Sequence, residues 1–531
     1  MKVRPVLNKH DIEELLQSHS EYRNCLFARG YLITDNLNVN ENEYPFYGNW
    51  TKTTFQDYAV LVHKWETFFS LPLGDKTILL IGHAYNPVNM KHDEIELLKD
   101  CSSCIGADSF FEEINNWTGV FALFIIDHQT HGIQYLTDAA CMKMANYVSY
   151  RGNYYVSSHV QLLADVLDLP MTEYAAGIRK TRVYNTGMRW LPGDTTGYEH
   201  IRRLGTNLFA EYSNQHTIVK RFYPRKPHAD IANQEQFENY TEEIAQLMQN
   251  NLRLCMKKWR RPAISLTGGM DSGCTFACSA GITNEFNIFS FDCKEQEGID
   301  SEAARTICKN VGVSHHNYYI PRSNAQVRDY DVLCKLIDHN TAYVMNLAEA
   351  EIRKIIVLYR LNEFDVEIKS DVAEIGRVFY ERKYGMPMPE VFQARHMAIL
   401  QTRFFLLPRL QRKTEREYQA YLTKTGIETP SYNYEHSDLI YWEYRSAVAA
   451  ASSTQSMGMA HTLTFPYNNR SILEKFLSFP HDMRMEDYPQ KRIMEKWMPQ
   501  MLSSDTRVED KYFGKWRVLI EKLFFKFKTA L

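Results

Sequence analysis

The chain has 531 residues and a mass of 62.2 kDa, which is too long for one hydrophobic core and predicts two or more domains. Hydrophobic residues make up 44% and charged residues 24%, as in ordinary globular proteins, and the formal net charge of −3 argues against a dedicated nucleic-acid-binding protein. No apolar run is long enough for a membrane helix, we expect no secretory signal, and ten scattered cysteines favour reduced thiols in a cytoplasm.

The first predicted domain, residues 1–225, is rich in strands. A basic segment with two prolines, 221–228, predicts the linker to a second domain, residues 226–531. Short apolar runs bounded by turn residues predict strands of the first domain over 77–84, 119–127 and 154–158.

The second predicted domain begins with a long amphipathic helix over 234–259. After it, strands alternate with helices, which predicts a parallel sheet whose ligands bind at the carboxyl ends of the strands. From Asp331 onward the helix pattern dominates. The predicted strands of this sheet are 263–266, 286–292 and 316–320.

Residues 265–273, Ser-Leu-Thr-Gly-Gly-Met-Asp-Ser-Gly, lie between a predicted strand and a predicted helix. Glycines let the backbone bend tightly, and the N–H groups that open the helix favour phosphate. Asp271 would repel phosphate unless it holds a cation, so we expect it to bind Mg²⁺. The segment predicts a site where ATP is cleaved between its α and β phosphates. The residues predicted to bind ATP here are Ser265, Leu266, Thr267, Gly268, Gly269, Asp271 and Ser272.

These residues resemble the class B, glutamine-dependent asparagine synthetases and their relatives, including β-lactam synthetases and lasso-peptide cyclases. The resemblance is most specific over 265–272, where Thr267 stands in place of a glycine. It implies that the strand containing Ser290 and Phe291 receives adenine, and that Lys491 contacts pyrophosphate and the acyl-adenylate. It also implies an α/β ATP-pyrophosphatase domain of the PP-loop type, with a helical C-terminal part.

The first half resembles the glutaminase domain of the same family, through 80–86, 117–127, Thr137-Asp138 and Ser157-Ser158. The implied fold is an α+β sandwich of the Ntn hydrolase type, with two antiparallel sheets between helical layers. The family's glutaminase needs a cysteine as its first mature residue, because the α-amine of that cysteine is the base. The sequence begins with Met1 and has its first cysteine at Cys25, so we expect this domain to be inactive unless processing exposes a new end.

The metal-binding segment also differs from the family pattern. The family has a glycine-rich stretch with an Asp-Glu pair, and Ala373 falls where its metal-ligating aspartate is expected. Asp371 or Glu374 is close enough in sequence to replace it as the second Mg²⁺ ligand beside Asp271, although both are also ordinary residues for a helix start.

The expected activity is an ATP-dependent, AMP-forming ligase that joins a carboxylate to ammonia or an amine. Its expected catalytic residues are Lys491, Glu374 and Arg445, with Arg445 either binding a phosphate or carboxylate or forming a helix-surface salt bridge with Glu443 or a neighbour. Residues 462–464 are Thr-Leu-Thr where asparagine synthetases have Glu-Ala-Arg, which argues against aspartate as the substrate. Specialised metabolites, peptides and glycans remain open as substrates.

Two other functions stay open: a PP-loop enzyme that modifies nucleic acid, and a catalytically silent scaffold. The basic C-terminal segment, 511–531, has Trp516, Leu519, Leu523 and Phe527 at helical spacing. That spacing predicts a final helix docked on the core, or a surface for a partner protein, a leader peptide, RNA or a membrane. A homodimer is equally open.

Overall fold

The computed structural model describes residues 3–181, 190–292, 295–344, 346–402 and 408–502, with 519, 522, 523 and 525–527. The described strands form two antiparallel sheets of six strands and one parallel sheet of five. In chain order they are β1 Tyr31–Thr34, β2 Trp50–Phe55, β3 Tyr58–His63, β4 Phe68–Leu73, β5 Lys76–Tyr85, β6 Thr118–Asp127, β7 Gly132–Thr137, β8 Asn146–Tyr150, β9 Asn153–Ser157, β10 Arg202–Arg203, β11 Leu208–Ser213, β12 His216–Arg221, β13 Pro262–Ser265, β14 Asn287–Asp292, β15 His316–Tyr319, β16 Val366–Ile368 and β17 Thr462–Thr464.

The described α-helices are α1 Lys9–Ser18, α2 Glu94–Ser102, α3 Asp108–Asn115, α4 Val160–Leu167, α5 Glu173–Arg179, α6 Gln234–Lys258, α7 Met270–Ala277, α8 Glu295–Val311, α9 Tyr330–Asn340, α10 Glu349–Arg360, α11 Phe379–Tyr384, α12 Ala394–Thr402, α13 Pro408–Thr425, α14 His436–Ile440, α15 Ala447–Met457, α16 Arg470–Leu477, α17 His481–Met485 and α18 Tyr488–Trp497. Short 3₁₀ turns cover Ser20–Cys25, Thr283–Glu285, Asn324–Gln326, Ala373–Gly376 and Pro499–Leu502, and a π-helix covers Tyr441–Ser446.

The first half folds as two antiparallel sheets, in the strand orders β10-β8-β9-β1-β3-β2 and β12-β11-β7-β6-β5-β4. Side chains alternate between the two faces of a strand. Leu79 and Ile81 of β5 therefore join Ile33 of β1 in one buried cluster between the sheets, while Ile78 and Leu80 join the cluster that contains helix α2. The predicted strands 77–84, 119–127 and 154–158 are confirmed as β5, β6 and β9, with ends within one residue.

The second half contains the parallel sheet, in the strand order β15-β14-β13-β16-β17. The predicted strands of this sheet are confirmed as β13, β14 and β15, whereas β16 and β17 were not predicted. Each is only three residues long and lies in the stretch where helix patterns dominate. Because β13 pairs with β14 on one side and β16 on the other, the chain reverses its direction across the sheet at β13. Open parallel sheets bind ligands at such a point.

The two halves share a polar junction built around the N-terminus of α16. Asn468 donates to the Gly119 carbonyl at 2.5 Å and to Asp138 at 2.9 Å, and Asn469 donates to the Asn116 carbonyl at 2.7 Å. The change from antiparallel to parallel sheet falls between β12 and α6. The boundary between residues 225 and 226 remains a prediction within that stretch.

The C-terminal helix does not dock on the core through Leu519, Leu523 and Phe527, as one of the two predictions had it. Leu519, Leu523 and Phe527 are 45%, 60% and 62% exposed, whereas Phe525 is buried at 1%. The apolar spacing therefore does not mark the face that docks, and Trp516 lies outside the described residues. Among the described residues, no helix is both long and apolar enough to span a membrane. The nine described cysteines are free thiols.

Candidate active site

Residues 266–269 connect β13 to α7 at the carboxyl edge of the parallel sheet. We call them the phosphate loop, after the ligand predicted for this segment. Thr267 and Ser272 hold it closed, with their hydroxyl oxygens 2.8 Å apart, and the Gly269 N–H donates to the Thr267 hydroxyl at 3.1 Å. Helix α7 starts directly after Gly269, so the N–H groups of its first turn have no helical acceptor. These groups and the helix dipole form a site for negative charge.

Asp271, in the first turn of α7, forms an ion pair with Arg377. Its Oδ2 lies 2.7 Å from Nη1 of Arg377, whose Nε reaches Asp487 at 2.8 Å. Arg382 also donates to Asp487. Burial raises the pKa of the Asp271 carboxyl to about 6, against the opposing effect of Arg377, and the neighbouring Glu374 carboxylate adds to the rise. Oδ1 of Asp271 is buried and has no hydrogen-bond partner.

The two candidates for a second metal ligand differ in position. Asp371 is exposed and pairs with Lys369 at 2.9 Å. Glu374 is close enough to Asp271 to influence its ionisation and accepts a hydrogen bond from the Tyr441 hydroxyl. The segment is strained at Val372, whose φ of 83° is rarely adopted by a β-branched residue. Glu374 is exposed, as Asp371 is, but its charge acts on the Asp271 carboxyl.

The carboxylates near the loop are compatible with a divalent cation. Within the described stretches of the chain, no cluster of three or more His, Cys, Asp or Glu is placed to hold a metal. Mg²⁺, however, commonly uses one or two protein carboxylates together with substrate phosphates. The unpartnered Oδ1 of Asp271, with Glu374 nearby, provides that kind of site.

The predicted adenine strand β14 is tied to the phosphate loop. The Ser290 hydroxyl donates to the Leu266 carbonyl at 2.5 Å, and its oxygen lies 2.9 Å from Nε2 of His315. Ser290 is buried, so its side chain positions the loop and leaves the strand backbone as the surface available to a base. Phe291 packs edge-on against Phe289 beside it.

Lys491 lies in the first turns of α18, a helix that packs against α7. The approach is close, since a Cβ added to Gly273 would lie 3.1 Å from Sδ of Met494. Of the neighbouring basic residues, Arg492 and Lys496 both pair with Glu238. Lys491 has no ion pair in the part of the chain that the structure describes. Its ammonium is available to a phosphate ligand.

Arg445 lies in the π-helix, where its guanidinium stacks 4.3 Å from the ring centre of Trp190. Of the salt bridges predicted as the alternative, with Glu443 or a neighbour, the one with Glu443 is not formed among the described residues. Glu443 is buried and accepts from Arg221, at 2.8 Å from Nη2, and from Asn207 at 3.1 Å. Arg445 is close enough to Tyr441 to oppose the rise in the pKa of its hydroxyl, which burial produces. Glu374, Tyr441 and Arg445 are therefore neighbours.

Sequence reasoning missed several residues that complete the site. Arg377 lies in the segment searched for metal ligands, but its partners are 106 and 110 residues away. Asp487 adopts left-handed backbone geometry just before α18 and gave no local pattern. Tyr467, after β17, donates to the Asp271 carbonyl at 3.4 Å. Pairing across such separations is visible only in the folded chain.

One comparison finds a similarity to a known family in the second half. An asparagine synthase family model matches residues 243–354, which include the phosphate loop and β14. Over this segment the chain is similar to asparagine synthases. The match ends before Asp371, Glu374 and Lys491, whose roles rest on geometry.

The remaining comparisons are distant. No curated protein matches the chain. A structure of the allosteric regulatory enzyme of purine biosynthesis is 8% identical, with 75% of this chain and 76% of that chain covered and a TM-score of 0.23. The glutamine phosphoribosylpyrophosphate amidotransferase from B. subtilis, complexed with ADP and GMP, is 9% identical, with 86% and 88% covered and a TM-score of 0.23. At these scores neither likeness supports an argument about this chain.

Proposed function

We propose that the protein is an AMP-forming ligase that activates a substrate carboxylate with ATP and transfers the acyl group to ammonia or another amine. The observation that carries this proposal is the convergence of Asp271, Glu374 and the Lys491 helix on the phosphate loop at the carboxyl end of β13. A carboxylate oxygen attacks the α-phosphorus and the bond to the pyrophosphate breaks. The amine then forms the C–N bond as AMP leaves.

The chain's own groups have distinct roles in this proposal. The loop N–H groups hold the terminal phosphates, and Lys491 stabilises the charge that develops on the leaving pyrophosphate. Asp271 and Glu374 would hold Mg²⁺, which when bound neutralises phosphate charge as a Lewis acid. Arg377 holds the Asp271 carboxylate in place through its second contact to Asp487.

Arg445 is our candidate for the group that orients the acyl substrate. Its guanidinium is stacked on Trp190 but forms no ion pair within the described residues, and it lies near Tyr441 on the Glu374 side of the site. A stacked guanidinium is held in one plane and suits a carboxylate or phosphate oxygen pair. This assignment leaves the identity of the acyl group open.

We propose further that the first half provides no ammonia from glutamine. Residues 3–30 run continuously into β1 and pack against the second half, where Arg4 pairs with Asp338. Cys25 is buried in a 3₁₀ turn, and burial raises the pKa of its thiol to about 11. A protonated, buried thiol without an α-amine is not a nucleophile of the glutaminase kind.

The test is ATP–pyrophosphate exchange with a panel of free amino acids, uronic acids and peptides in the presence of Mg²⁺. We expect one class of carboxylate to support exchange and to give an amide with ammonium but not with glutamine. If the protein binds ATP but no carboxylate in the panel supports exchange, fractions of a cell lysate are added as a source of substrate. Release of pyrophosphate then shows which fraction contains the carboxylate. If ATP does not bind at all, the ligase proposal is wrong.

The Arg377–Asp271 ion pair favours a second candidate function, a protein that binds nucleotide without turnover. In that case the guanidinium would keep the metal out permanently. Paramagnetic resonance of Mn²⁺ distinguishes the two, because the ligase proposal requires Mn²⁺ to bind in the presence of ATP. A silent scaffold would leave all Mn²⁺ on free nucleotide.

Lys491→Met should lower pyrophosphate release by about 100-fold, because one lost cation at developing charge costs a few kcal/mol. ATP binding should change by less than about threefold, since the loop N–H groups remain. Arg492→Met is the matched control, because Arg492 lies next in the helix but pairs with Glu238 and Glu495. Equal losses in both variants would remove Lys491 from the mechanism. The measurement is steady-state release of pyrophosphate with saturating ATP.

A further inference from the structure

A cavity lies between the two halves, away from the phosphate loop. Its volume is about 60 Å³, enough for a few water molecules or one ion of three or four heavy atoms. One wall comes from the first half and the other from the segment between α15 and β17. The charged and imidazole side chains that line it are Arg29, Glu66, His83, Lys143, His159 and His461.

The charges on this cavity do not balance. Lys143 forms an ion pair with Glu66 and donates to the Arg29 carbonyl at 3.1 Å. The Arg29 guanidinium donates only to carbonyl oxygens, those of Gly458 at 3.1 Å and Trp65 at 2.6 Å. Glu66 is the one carboxylate among the lining residues, so two cations share it. A buried charge without a counter-charge is strongly unfavourable.

His461 does not correct the imbalance. Its Nε2 lies 2.7 Å from Oε2 of Glu367, a buried carboxylate that pairs with this ring. The histidine and the glutamate form their own pair at the edge of the cavity. The excess positive charge of Arg29 and Lys143 therefore remains.

Two buried histidines add unsatisfied ring nitrogens to the same wall. The Ser158 hydroxyl accepts from the Tyr31 N–H at 3.0 Å, and its oxygen lies 2.8 Å from Nδ1 of His159. Among the described residues, Nε2 of His159 and Nε2 of His83 are buried without a hydrogen-bond partner. Burial lowers the pKa of His159 to about 3, with a further contribution from Lys143, so the ring is neutral.

We propose that this cavity binds one small monovalent oxyanion, of the size of formate, acetate or bicarbonate. Arg29 and the Lys143–Glu66 pair supply one net positive charge, and the neutral His159 ring donates to the anion in the tautomer with hydrogen on Nε2. Because the walls come from both halves, the bound anion stabilises their contact. This site is independent of the proposed ligase activity.

The test is thermal unfolding of the full chain at constant ionic strength, with gluconate replaced stepwise by acetate or formate. Gluconate, a bulkier monovalent carboxylate, serves as the comparison anion. We expect a saturable rise in the unfolding midpoint with acetate and formate, because a ligand that binds only the folded state stabilises it. An unfolding midpoint that does not change when acetate or formate replaces gluconate would overturn the proposal.

Two variants with opposite signs make the test specific. Arg29→Met should raise the anion concentration at half-saturation by about tenfold or more. Glu66→Gln should lower that concentration by about threefold or more, because it removes the competing carboxylate. Arg203→Met is the matched control, since Arg203 also donates to backbone carbonyls, those of Gly193 and Thr195, but does not line the cavity. If Arg29→Met does not fold, the direction of the Glu66→Gln change decides. Weaker binding in Glu66→Gln, or unchanged binding in Arg29→Met, would contradict the anion site.

Discussion

Asp271→Asn should reduce ATP-dependent pyrophosphate release by about 1000-fold, because metal and charge stabilisation at a phosphoryl centre is worth several kcal/mol. The asparagine side chain has the same shape but cannot balance Arg377 or ligate Mg²⁺ as a carboxylate does. Folding should be preserved, since the burial that raises the pKa of Asp271 to about 6 already opposes its charge. Arg377 also keeps its contact with Asp487 at 2.8 Å.

The control for this prediction is Asp371→Asn. Asp371 was an equal candidate in the sequence, but its carboxylate is exposed and paired with Lys369. We expect its activity to stay within about threefold of wild type, as for an ordinary surface ion pair. The activity of Glu374→Gln should lie between those of the two other variants, and it should need a higher Mg²⁺ concentration. Asp271→Asn activity within tenfold of wild type would exclude Asp271 from the chemistry.

Arg470→Met should destabilise the protein by about 3–5 kcal/mol, the typical cost of breaking a buried, charged network by removing one partner. Arg470 is 1% exposed and donates to Asn207 at 2.9 Å and to the carbonyls of Thr137 and Asp138 at 3.3 Å each. All three acceptors belong to the first half. Methionine fills much of the volume but removes the charged donor from all three acceptors, among which the Asp138 carbonyl keeps the Cys141 N–H at 3.2 Å.

Urea unfolding followed by tryptophan fluorescence measures this effect, because Trp442 is buried and donates to the Ala139 carbonyl at the same junction. Arg492→Met is again the control, with an expected change within about 0.5 kcal/mol for a surface residue. Arg470→Lys should recover part of the loss, since it keeps the charge without the fork of donors. A loss below about 1 kcal/mol would mean that other donors replace Arg470.

Local patterns in the sequence were enough for the long elements. Strand β5, predicted over 77–84, is an apolar run bounded by turn residues. Helix α6, predicted over 234–259, carries a helical period that repeats several times. The phosphate loop was equally accessible, because its glycines, Asp271 and Ser272 act within eight residues of one another. The resemblance to asparagine synthetases was most specific at the same residues, which lie within the family match over 243–354.

Short strands and distant pairs were not accessible in this way. β16 and β17 have three residues each, which is less than two repeats of the strand period, and they were hidden in a helical stretch. The apolar spacing of Leu519, Leu523 and Phe527 predicted either a docked face or a surface for a partner, and these side chains are exposed. Helical spacing shows which residues share a face and not what that face contacts.

The sequence by itself determined the phosphate loop, the alternation of strands and helices around it and the strand-rich first half, because each depends on residues that are close in the chain. The tertiary structure alone decided that Glu374 and not Asp371 lies beside Asp271, that Arg377 holds this carboxylate, and that Arg29 and Lys143 face one cavity. These arrangements depend on β16 pairing beside β13 and on the contact between the two halves. Such contacts form between residues a hundred or more positions apart, which no local period encodes.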